Sequence, residues 1–492
     1  RRAFAMMKRG PAASPEWITN VVILACAVDA ADKVLLPATF KAIDAQLHLG
    51  PSRLAALTFA QSISFSLALP VWGSLMRYYT AQDLMICGCF LWSAITFMLA
   101  CTSSYPYQLL LRFAVGFALA SVMPLGQAII CDVVEERKRG NAFGWMQGVS
   151  SALSMFVSFA ATSMSAVDIF GFAGWRVAHV VVACFSLMAG LLLNSLGQMP
   201  ATMIASDASW LSEQSRVLKA VGGKPSFYIM VAQGVTGGIP WNAFAFLTFY
   251  FQLSGYTDVQ AGQVMLLGGI GGIFGSIAGG KLGDCIGAHD GLLPIVGRCA
   301  VAQTSVVLGT AVFLWMINIP YSAHSFPILL TAFILFHSVS CWTPCAALRP
   351  ICSEIFRNSQ DRAQVLALWI ALEGIIASFC GAPLVGVLSE VFGYRLSHDG
   401  SAVPEGADRQ RSVEALRRAL IGVSIVPWAL CALAWVPMYW TYPRDRLAKE
   451  VESPPSGKGE GGPAPAIVGE QTALKDDVED ASEGQRGSSC SG

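Results

Sequence analysis

Charged residues are scarce in this chain of 492 residues. Asp, Glu, Lys and Arg together make up 13% of it, about half the share that is usual in soluble domains. The Lys+Arg and Asp+Glu totals are equal at 32 each, so there is no net charge to attract a nucleic acid. We therefore expect neither a nucleic-acid-binding protein nor a conventional soluble globular domain.

Sequence motifs of common enzymes are also absent. The chain has no G-x-S-x-G, no H-E-x-x-H and no nucleotide-binding loop between a strand and a helix. Its 6 histidines are scattered, without a nearby acid or nucleophile as partner. The 14 cysteines lie mostly in apolar stretches without zinc-type spacing, and we interpret Cys341 and Cys345 as two buried thiols. We expect no catalytic residue, no cofactor, no metal site and no enzymatic activity.

Long apolar blocks dominate what is present. Hydrophobic residues make up 54% of the chain, and many blocks approach the length of about 20 residues that spans the apolar part of a bilayer. Twelve such blocks predict twelve transmembrane helices. Their approximate bounds are 17–38, 54–76, 84–104, 107–130, 141–165, 178–196, 226–253, 260–279, 298–317, 326–346, 363–389 and 419–440.

The longest connection lies between the sixth and seventh spans and divides the chain. We predict a six-helix N-terminal bundle at 17–196, a central cytoplasmic loop at 197–225 and a six-helix C-terminal bundle at 226–440. Residues 1–16 form a cytoplasmic N-terminal segment in this scheme. Residues 441–492 are rich in Pro, Gly, Ser and charge, which predicts a disordered cytoplasmic tail.

Basic residues in the loops support this orientation. With both termini in the cytoplasm, most loop Lys and Arg residues fall on the cytoplasmic side, as positively charged loops do in membrane proteins. The loop before the last span is the exception. It contributes five basic residues to the outer side: Arg395, Arg409, Arg411, Arg417 and Arg418.

Two sequence patterns recur in the same order in both halves. An acid precedes an arginine by seven or eight residues in Asp132–Arg139 and again in Glu354–Arg362. Gly-Trp-Arg at 174–176 is echoed by Gly-Tyr-Arg at 393–395. These echoes predict two structural pseudo-repeats, the arrangement of many transporters. Small residues at four-residue steps in span eight (Gly268, Gly272, Ser276 and Gly280; Gly271, Gly275 and Gly279) predict close helix packing.

The loop after span eight carries a family signature. Gly280-Lys-Leu-Gly-Asp284-Cys-Ile-Gly287 resembles the G-x-x-x-D-x-x-G motif of the major facilitator superfamily. The equivalent loop after span two begins at Gly73 but has Arg77 in place of the acid. The resemblance implies an all-α membrane protein with the major facilitator fold, twelve transmembrane helices in two six-helix pseudo-repeats.

Further segments resemble a Spinster-related branch with plant and protist members. They are Asp29-Ala-Ala-Asp32-Lys33-Val-Leu-Leu-Pro37, 47–51, Arg112-x-x-x-Gly116, Pro124, 139–144 and 174–176. The resemblance covers roughly residues 17–440 and implies a secondary transporter. Better-studied Spinster-like proteins move lysophospholipids or sphingoid phosphates, and many carry a Glu in span four that is missing here.

Charges inside apolar spans are costly and therefore usually functional or paired. Asp29, Asp32 and Lys33 share an arc of about 100° on span one, as a proton or substrate site or as a structural Asp29–Lys33 pair. Arg112 in span four either binds an anionic group or forms a salt bridge to span one. Glu373 in span eleven either takes up a proton or holds its helix to a neighbour.

Span seven is interrupted by glycines and a proline. In 233–242 the chain reads Gln-Gly-Val-Thr-Gly-Gly-Ile-Pro-Trp-Asn, and such breaks often mark the substrate site of a transporter. Gln233, Trp241 and Asn242 are therefore candidates for binding, with a simple kink as the alternative. We interpret His337 in span ten as a packed core residue.

Loop residues form the last predicted group, and we expect them to act as cytoplasmic latches that hold one conformation shut. They are Gly73, Arg77, Asp132, Arg139, Gly280, Asp284, Gly287, Glu354 and Arg362. We hypothesise an alternating-access transporter, a monomer in the lipid bilayer, that moves a small organic or lipid-like solute on a proton or other solute gradient. Its cavity is largely apolar and suits an amphipathic or organic anion better than a sugar. A membrane receptor on the same fold and a membrane-embedded enzyme are the alternatives.

Overall fold

The computed structural model describes residues 13–76, 78–197, 215–216, 218–219, 221–287, 291, 293–322, 324–356, 359–394 and 406–451. These are the described residues, and most are helical. In the N-terminal half the helices are α1 (Pro15–Ala38), α2 (Phe40–Leu47), α3 (Gly50–Leu75), α4 (Ala81–Cys101), α5 (Tyr105–Leu119), α6 (Val122–Val133), α7 (Glu136–Met164) and α8 (Gly174–Ser195).

The C-terminal half continues with α9 to α18. They are α9 (Pro225–Ala243), α10 (Leu247–Ser254), α11 (Asp258–Gly287), α12 (Gly297–Ile317), α13 (Phe326–Ser340), α14 (Arg349–Ile355), α15 (Ser359–Cys380), α16 (Ala382–Val391), α17 (Gly406–Ala434) and α18 (Met438–Val451). A 3₁₀ turn (Phe244–Phe246) joins α9 to α10, and a π-helical turn (Pro344–Leu348) precedes α14. A two-residue hairpin, β1 (Asp168–Ile169) and β2 (Phe172–Ala173), pairs Asp168 with Ala173 before α8.

Nine helical stretches within the described residues are long and apolar enough to cross a membrane. The other three predicted spans coincide with α1, α7 and the α9–α10 pair, which carry charges, serines or a helix break. Each of the twelve predicted positions is therefore helical, while the count of twelve membrane spans remains a prediction for those three.

The segments outside the two bundles differ from expectation in one place. Helix α18 occupies the first part of the segment that we predicted as a disordered tail. The helix begins there because Met438 and Tyr442 are buried against the inner end of the C-terminal half. The rest of that tail, the N-terminal segment up to residue 12 and most of the central loop lie outside the described residues.

Small residues determine how closely the helices of span eight and span ten approach. A Cβ added to Gly271 would stand 2.4 Å from the Ile334 carbonyl oxygen, and one on Gly275 2.4 Å from that of Ser338. Both distances are far below van der Waals contact, so only glycine permits this packing. The predicted glycine ridges are therefore packing surfaces, and Ser276 of the same helix lines the cavity described below.

The two halves meet on one side of the bundle. We call the side of α2 and the α1 C-terminus the outer face, following the orientation predicted from the basic residues, and the opposite side the inner face. At the outer face a single hydrophobic core contains side chains of both halves, including Phe40 and Trp175 with Phe246 and Phe251. At the inner face the buried clusters of the two halves are separate. The described part of the protein is thus closed at the face that we call outer.

Candidate functional site

A cavity of about 370 Å³ lies within the C-terminal half. Residues of α9, α11, α12, α13, the π-helical turn, α15 and α17 line it. Three of the predicted site residues, Gln233, Trp241 and Glu373, are among them. Its size lies in the range of small-molecule sites in proteins. The structure therefore brings the polar residues of spans seven and eleven together at one binding-sized space.

Glu373 is seated against two glycines of α9. A Cβ built on Gly234 would stand 2.8 Å from Glu373 Oε2, and one on Gly238 2.9 Å from Oε1. The glycines four residues apart thus leave the space that the carboxyl group occupies. Glu373 forms no ion pair with any described side chain, so its charge has no fixed partner at this wall.

The helix break in span seven lies beyond the glycines. Gly234, Gly237 and Gly238 remain helical, and the backbone changes to a 3₁₀ turn at Phe244–Phe246. Asn242 does not line the cavity: its side-chain N–H donates to the Gly238 carbonyl oxygen at 3.2 Å. The glycines therefore make room for Glu373, and the irregular backbone follows Pro240.

Aromatic side chains form the outer wall of the cavity. Trp241 and Trp428 line it, and both pack on Phe244, with ring centroids at 5.4 and 5.8 Å. His337 packs edge-on against Trp241 at 5.8 Å and its Nδ1 lies 3.2 Å from the Phe333 carbonyl oxygen. His337 is thus a packed residue, as its sequence context predicts. Cys341 lines the cavity, and it and Cys345 are half-buried free thiols rather than buried ones.

The charges of span one lie elsewhere, in the N-terminal half. Lys33 Nζ bonds Asp29 Oδ2 at 2.7 Å and lies 4.5 Å above the Phe65 ring. Asp29 is fully buried, whereas the Lys33 side chain is 36% exposed. The alternative of an internal Asp29–Lys33 pair is therefore what this conformation contains. None of these residues lines the cavity of the C-terminal half.

Arg112 is held by neutral partners. Its Nη1 donates to Gln61 Oε1 at 3.3 Å, and its Nη2 lies 2.7 Å from His179 Nε2. His179 Nδ1 lies 2.7 Å from the Trp175 carbonyl oxygen. The carbonyl can only accept, so Nδ1 carries the proton and Nε2 accepts from Arg112. Arg112 forms no direct salt bridge to span one in this conformation.

Asp32 is a further buried carboxyl group of this half. It is 1% exposed, and neither carboxyl oxygen has a hydrogen-bond partner. Arg112 and the Trp92 indole are its electrostatic neighbours. Gln61, His179 and Trp92 did not emerge from the sequence as site residues. The signal that could have found them is weak: each is a polar group in an apolar span, and such groups usually bond their own helix.

A charge network ties the inner ends of the C-terminal helices. Arg298 contacts Asp284 at 2.8 Å and Glu354 at 3.3 Å, and donates to the Ala346 carbonyl oxygen at 3.1 Å. Glu354 also pairs with Arg446 at 3.3 Å and accepts from the Tyr442 hydroxyl. Gly287 lies against Arg298, because a Cβ added to Gly287 would stand 3.1 Å from Arg298 Cγ. A Cβ added to Gly280 would stand 3.8 Å from Cys345 Cβ, which is an ordinary contact. Arg298 is the centre of this network, and nothing in its sequence context distinguishes it from other basic residues between apolar spans.

The predicted latch of the N-terminal half has a different form. Arg139 donates to the carbonyl oxygens of Cys131 and Val134 at 2.7 and 3.1 Å, and so caps the end of α6, while Asp132 is exposed. An added Cβ on Gly73 would meet nothing within 4 Å. Arg77 lies outside the described residues, as does the side chain of Arg362.

Ionic and polar contacts join the halves at the outer face. Lys41 Nζ lies 2.7 Å from Asp258 Oδ1, which also accepts from Gln252 at 2.9 Å. The Ser52 backbone N–H donates to Glu390 Oε1 at 3.0 Å. These contacts cross between α2 or α3 of one half and α11 or α16 of the other. They reinforce the shared core and close the outer face.

Among described residues, no cluster of three or more His, Cys, Asp or Glu side chains could hold a metal ion. The polar residues of the C-terminal cavity can therefore act through hydrogen bonds, charge and stacking. The structure divides the predicted site. Gln233, Trp241 and Glu373 share a cavity, while Asp29, Asp32 and Arg112 are buried in the other half and Lys33 is partly exposed there.

Solved structures with the same fold are membrane transporters. A bacterial homologue of the human lysosomal transporter Spinster, inward-facing and occupied, matches with a TM-score of 0.71 and 15% identity over 89% of this chain and 99% of its own. The nucleoside transporter NupG gives 0.65 at 13% identity over 87% and 99%. A D-xylose–proton symporter gives 0.63 at 15% over 88% and 99%. These likenesses show the fold.

Sequence comparison gives the family. No curated protein matches the chain significantly. The profile described as Major Facilitator Superfamily matches residues 21–317, about three fifths of the chain. Together with nine apolar helices of membrane-spanning length among the described residues, the match identifies an integral, multi-pass membrane protein of the transporter class, and the chain belongs to the Major Facilitator Superfamily.

Proposed function

We propose that this transporter is a secondary active carrier that moves a small organic or amphipathic solute by alternating access, driven by a proton gradient. The observation that carries the proposal is the Glu373 carboxyl group at the wall of the cavity, without an ion-pair partner among the described side chains. A carboxylate at membrane depth is unfavourable unless it is neutralised. A proton or a bound solute supplies that neutralisation in turn.

The two-half arrangement supports alternating access. The shared core and the Lys41–Asp258 pair close the outer face, while the inner clusters stay apart. A solute then reaches the cavity from the inner face in this conformation and from the outer face after the halves rock. The proton symport named for the D-xylose relative is one precedent for coupling on this fold.

A proteoliposome assay tests the proposal. Purified protein is offered lysophospholipids, amines, organic anions and sugars, with and without an imposed pH gradient. We expect gradient-dependent uptake of one class, and its loss in Glu373→Gln, because the neutral amide cannot bind and release a proton. Glu135→Gln is the matched control, since Glu135 is an exposed carboxylate that pairs with Lys138 at the surface, away from the cavity lining.

The outcomes separate the alternatives. Gradient-dependent uptake that survives Glu373→Gln would remove Glu373 from the coupling but keep the carrier. Folded protein that binds a solute and yet moves none of the classes would favour the receptor on the same fold.

A further inference from the structure

The cavity of the C-terminal half contains one kind of charge. Of its described lining residues, Glu373 is ionisable as an acid, and none is Lys, Arg or His. The cations of the N-terminal half are engaged: Arg112 is 1% exposed and bonds Gln61 and His179, and Lys33 bonds Asp29. An anionic solute would therefore meet a carboxylate and no cation at this wall, which argues against it.

The aromatic wall complements a positive charge. Trp241 and Trp428 line the cavity, and Trp241 is 39% exposed. The indole face is the strongest aromatic partner of an ammonium group. The remaining polar lining is mostly satisfied within the protein: Gln233 donates to the Met230 carbonyl oxygen at 2.8 Å, and Ser305 donates to that of Val339 at 2.6 Å. Few free hydrogen-bonding groups are left for a sugar.

We infer that this cavity binds the ammonium end of an organic monocation, with Glu373 as its counter-ion and Trp241 and Trp428 as its aromatic wall. The inference rests on the proposed function for its transport step, but binding can be measured without transport. It departs from the sequence-based preference for an organic anion. A volume of about 370 Å³ accommodates an ammonium head with an attached ring or short chain.

Occupation by a cation and protonation of Glu373 exclude each other. The groups that face the carboxyl group are the glycines of α9, the Trp369 indole of its own helix and the Cys431 thiol of α17, none of which carries a fixed positive charge. Binding of a permanent cation therefore weakens as the pH falls and Glu373 takes up a proton. In a carrier, this mutual exclusion leads to the exchange of one cation for one proton across the membrane.

Isothermal titration calorimetry on the purified full chain tests the binding. The probes are (3-phenylpropyl)trimethylammonium, its neutral tert-butyl analogue of the same shape and 4-phenylbutanesulfonate. We expect the ammonium to bind at least tenfold more tightly than the other two, and more weakly at low pH. The permanent charge of the probe assigns that pH dependence to the protein.

Variants locate the site. Glu373→Gln and Trp241→Leu each weaken ammonium binding at least tenfold, Glu373→Asp retains part of it, and Glu135→Gln leaves it unchanged. Thermal unfolding confirms that each variant is folded. Equal binding of the neutral or anionic probe, or unchanged ammonium binding in Glu373→Gln, overturns the inference. Ammonium binding without uptake in liposomes keeps the site and refutes the carrier, whereas uptake of another class without ammonium binding keeps the carrier and refutes the site.

Discussion

At the scale of single residues, glycines determine where the polar side chains lie. Gly116 lets α5 approach the backbone of α3, with 2.1 Å between an added Cβ and the Gln61 carbonyl oxygen. That approach places Gln61 beside Arg112. Gly234 and Gly238 do the same for Glu373. The positions of Arg112 and Glu373 thus depend on glycines that let two helices approach each other closely.

We predict that Gly116→Ala destabilises the protein. The added methyl group meets backbone atoms of Gln61 that cannot rotate away, and overpacking of this kind costs roughly 1–3 kcal/mol. Thermal unfolding in detergent measures the effect. Gly148→Ala is the matched control, because it lies in α7 with nothing within 4 Å of the new Cβ. If the two variants had equal melting temperatures, α3 and α5 would be able to move apart at Gly116 without loss of stability.

Residues with formal charge could be found from the sequence, and most of their neutral partners could not. Asp29, Asp32 and Glu373 stand out because a charge in an apolar span is rare. Gln61 and His179 contact Arg112 across 51 and 67 positions of the chain, and no local pattern encodes such a contact. The Asp29–Lys33 pair was foreseeable because it lies within one helical turn.

At the scale of helices, ion pairs join the inner ends of α11, α12, α14 and α18 through Arg298 and Glu354. The network lies within one half, so it stabilises the C-terminal bundle and does not bridge the halves in this conformation. The sequence signature predicted Asp284, Gly287 and Glu354 here. It could not identify Arg298, because a basic residue at a helix start also satisfies the rule for cytoplasmic loops.

Removal of Arg298 should loosen this end of the bundle. Arg298→Ala leaves Asp284 without its partner and takes one of two arginines from Glu354. The loss of such charge-assisted bonds costs about 1–3 kcal/mol, so the melting temperature falls. Lys281→Ala, an exposed change on α11, should have little effect. Arg298→Lys keeps the positive charge but contacts one acid at a time, so its melting temperature should lie between those of Arg298→Ala and Lys281→Ala. A melting temperature of Arg298→Ala equal to that of the unchanged protein would contradict the stabilising role of the network.

At the scale of the whole molecule, the pair of Lys41 and Asp258 joins the halves at the outer face. Lys41 and Asp258 are 23% and 19% exposed, and a partly exposed pair contributes on the order of 1 kcal/mol. The positions of the helices followed from the hydrophobic blocks, and the bounds of the two bundles stay a prediction. The closed outer face did not, because under the proposed alternating access one sequence serves two orientations of the halves.

We predict that Asp258→Asn shifts the protein toward the outward-open form by roughly fivefold. Hydrogen–deuterium exchange at 40–47 and 254–262 should become faster, since both segments lie at the outer contact. The reversed pair Lys41→Asp with Asp258→Lys should restore slow exchange, and Asp168→Asn, an exposed change near the same face, should leave it unaltered. Unaltered exchange in Asp258→Asn would show that the hydrophobic core alone holds this face closed.

Under the proposed alternating access, the shared outer core also gives the change of orientation a thermal signature. Phe40 and Phe246, whose rings lie 5.1 Å apart, are each fully buried where the halves meet. When the outer face opens, such rings become hydrated, and hydration of apolar surface raises the heat capacity. The ratio of the two orientations should therefore follow a curved van't Hoff plot, and cooling should favour the outward-open form more than a straight-line extrapolation predicts.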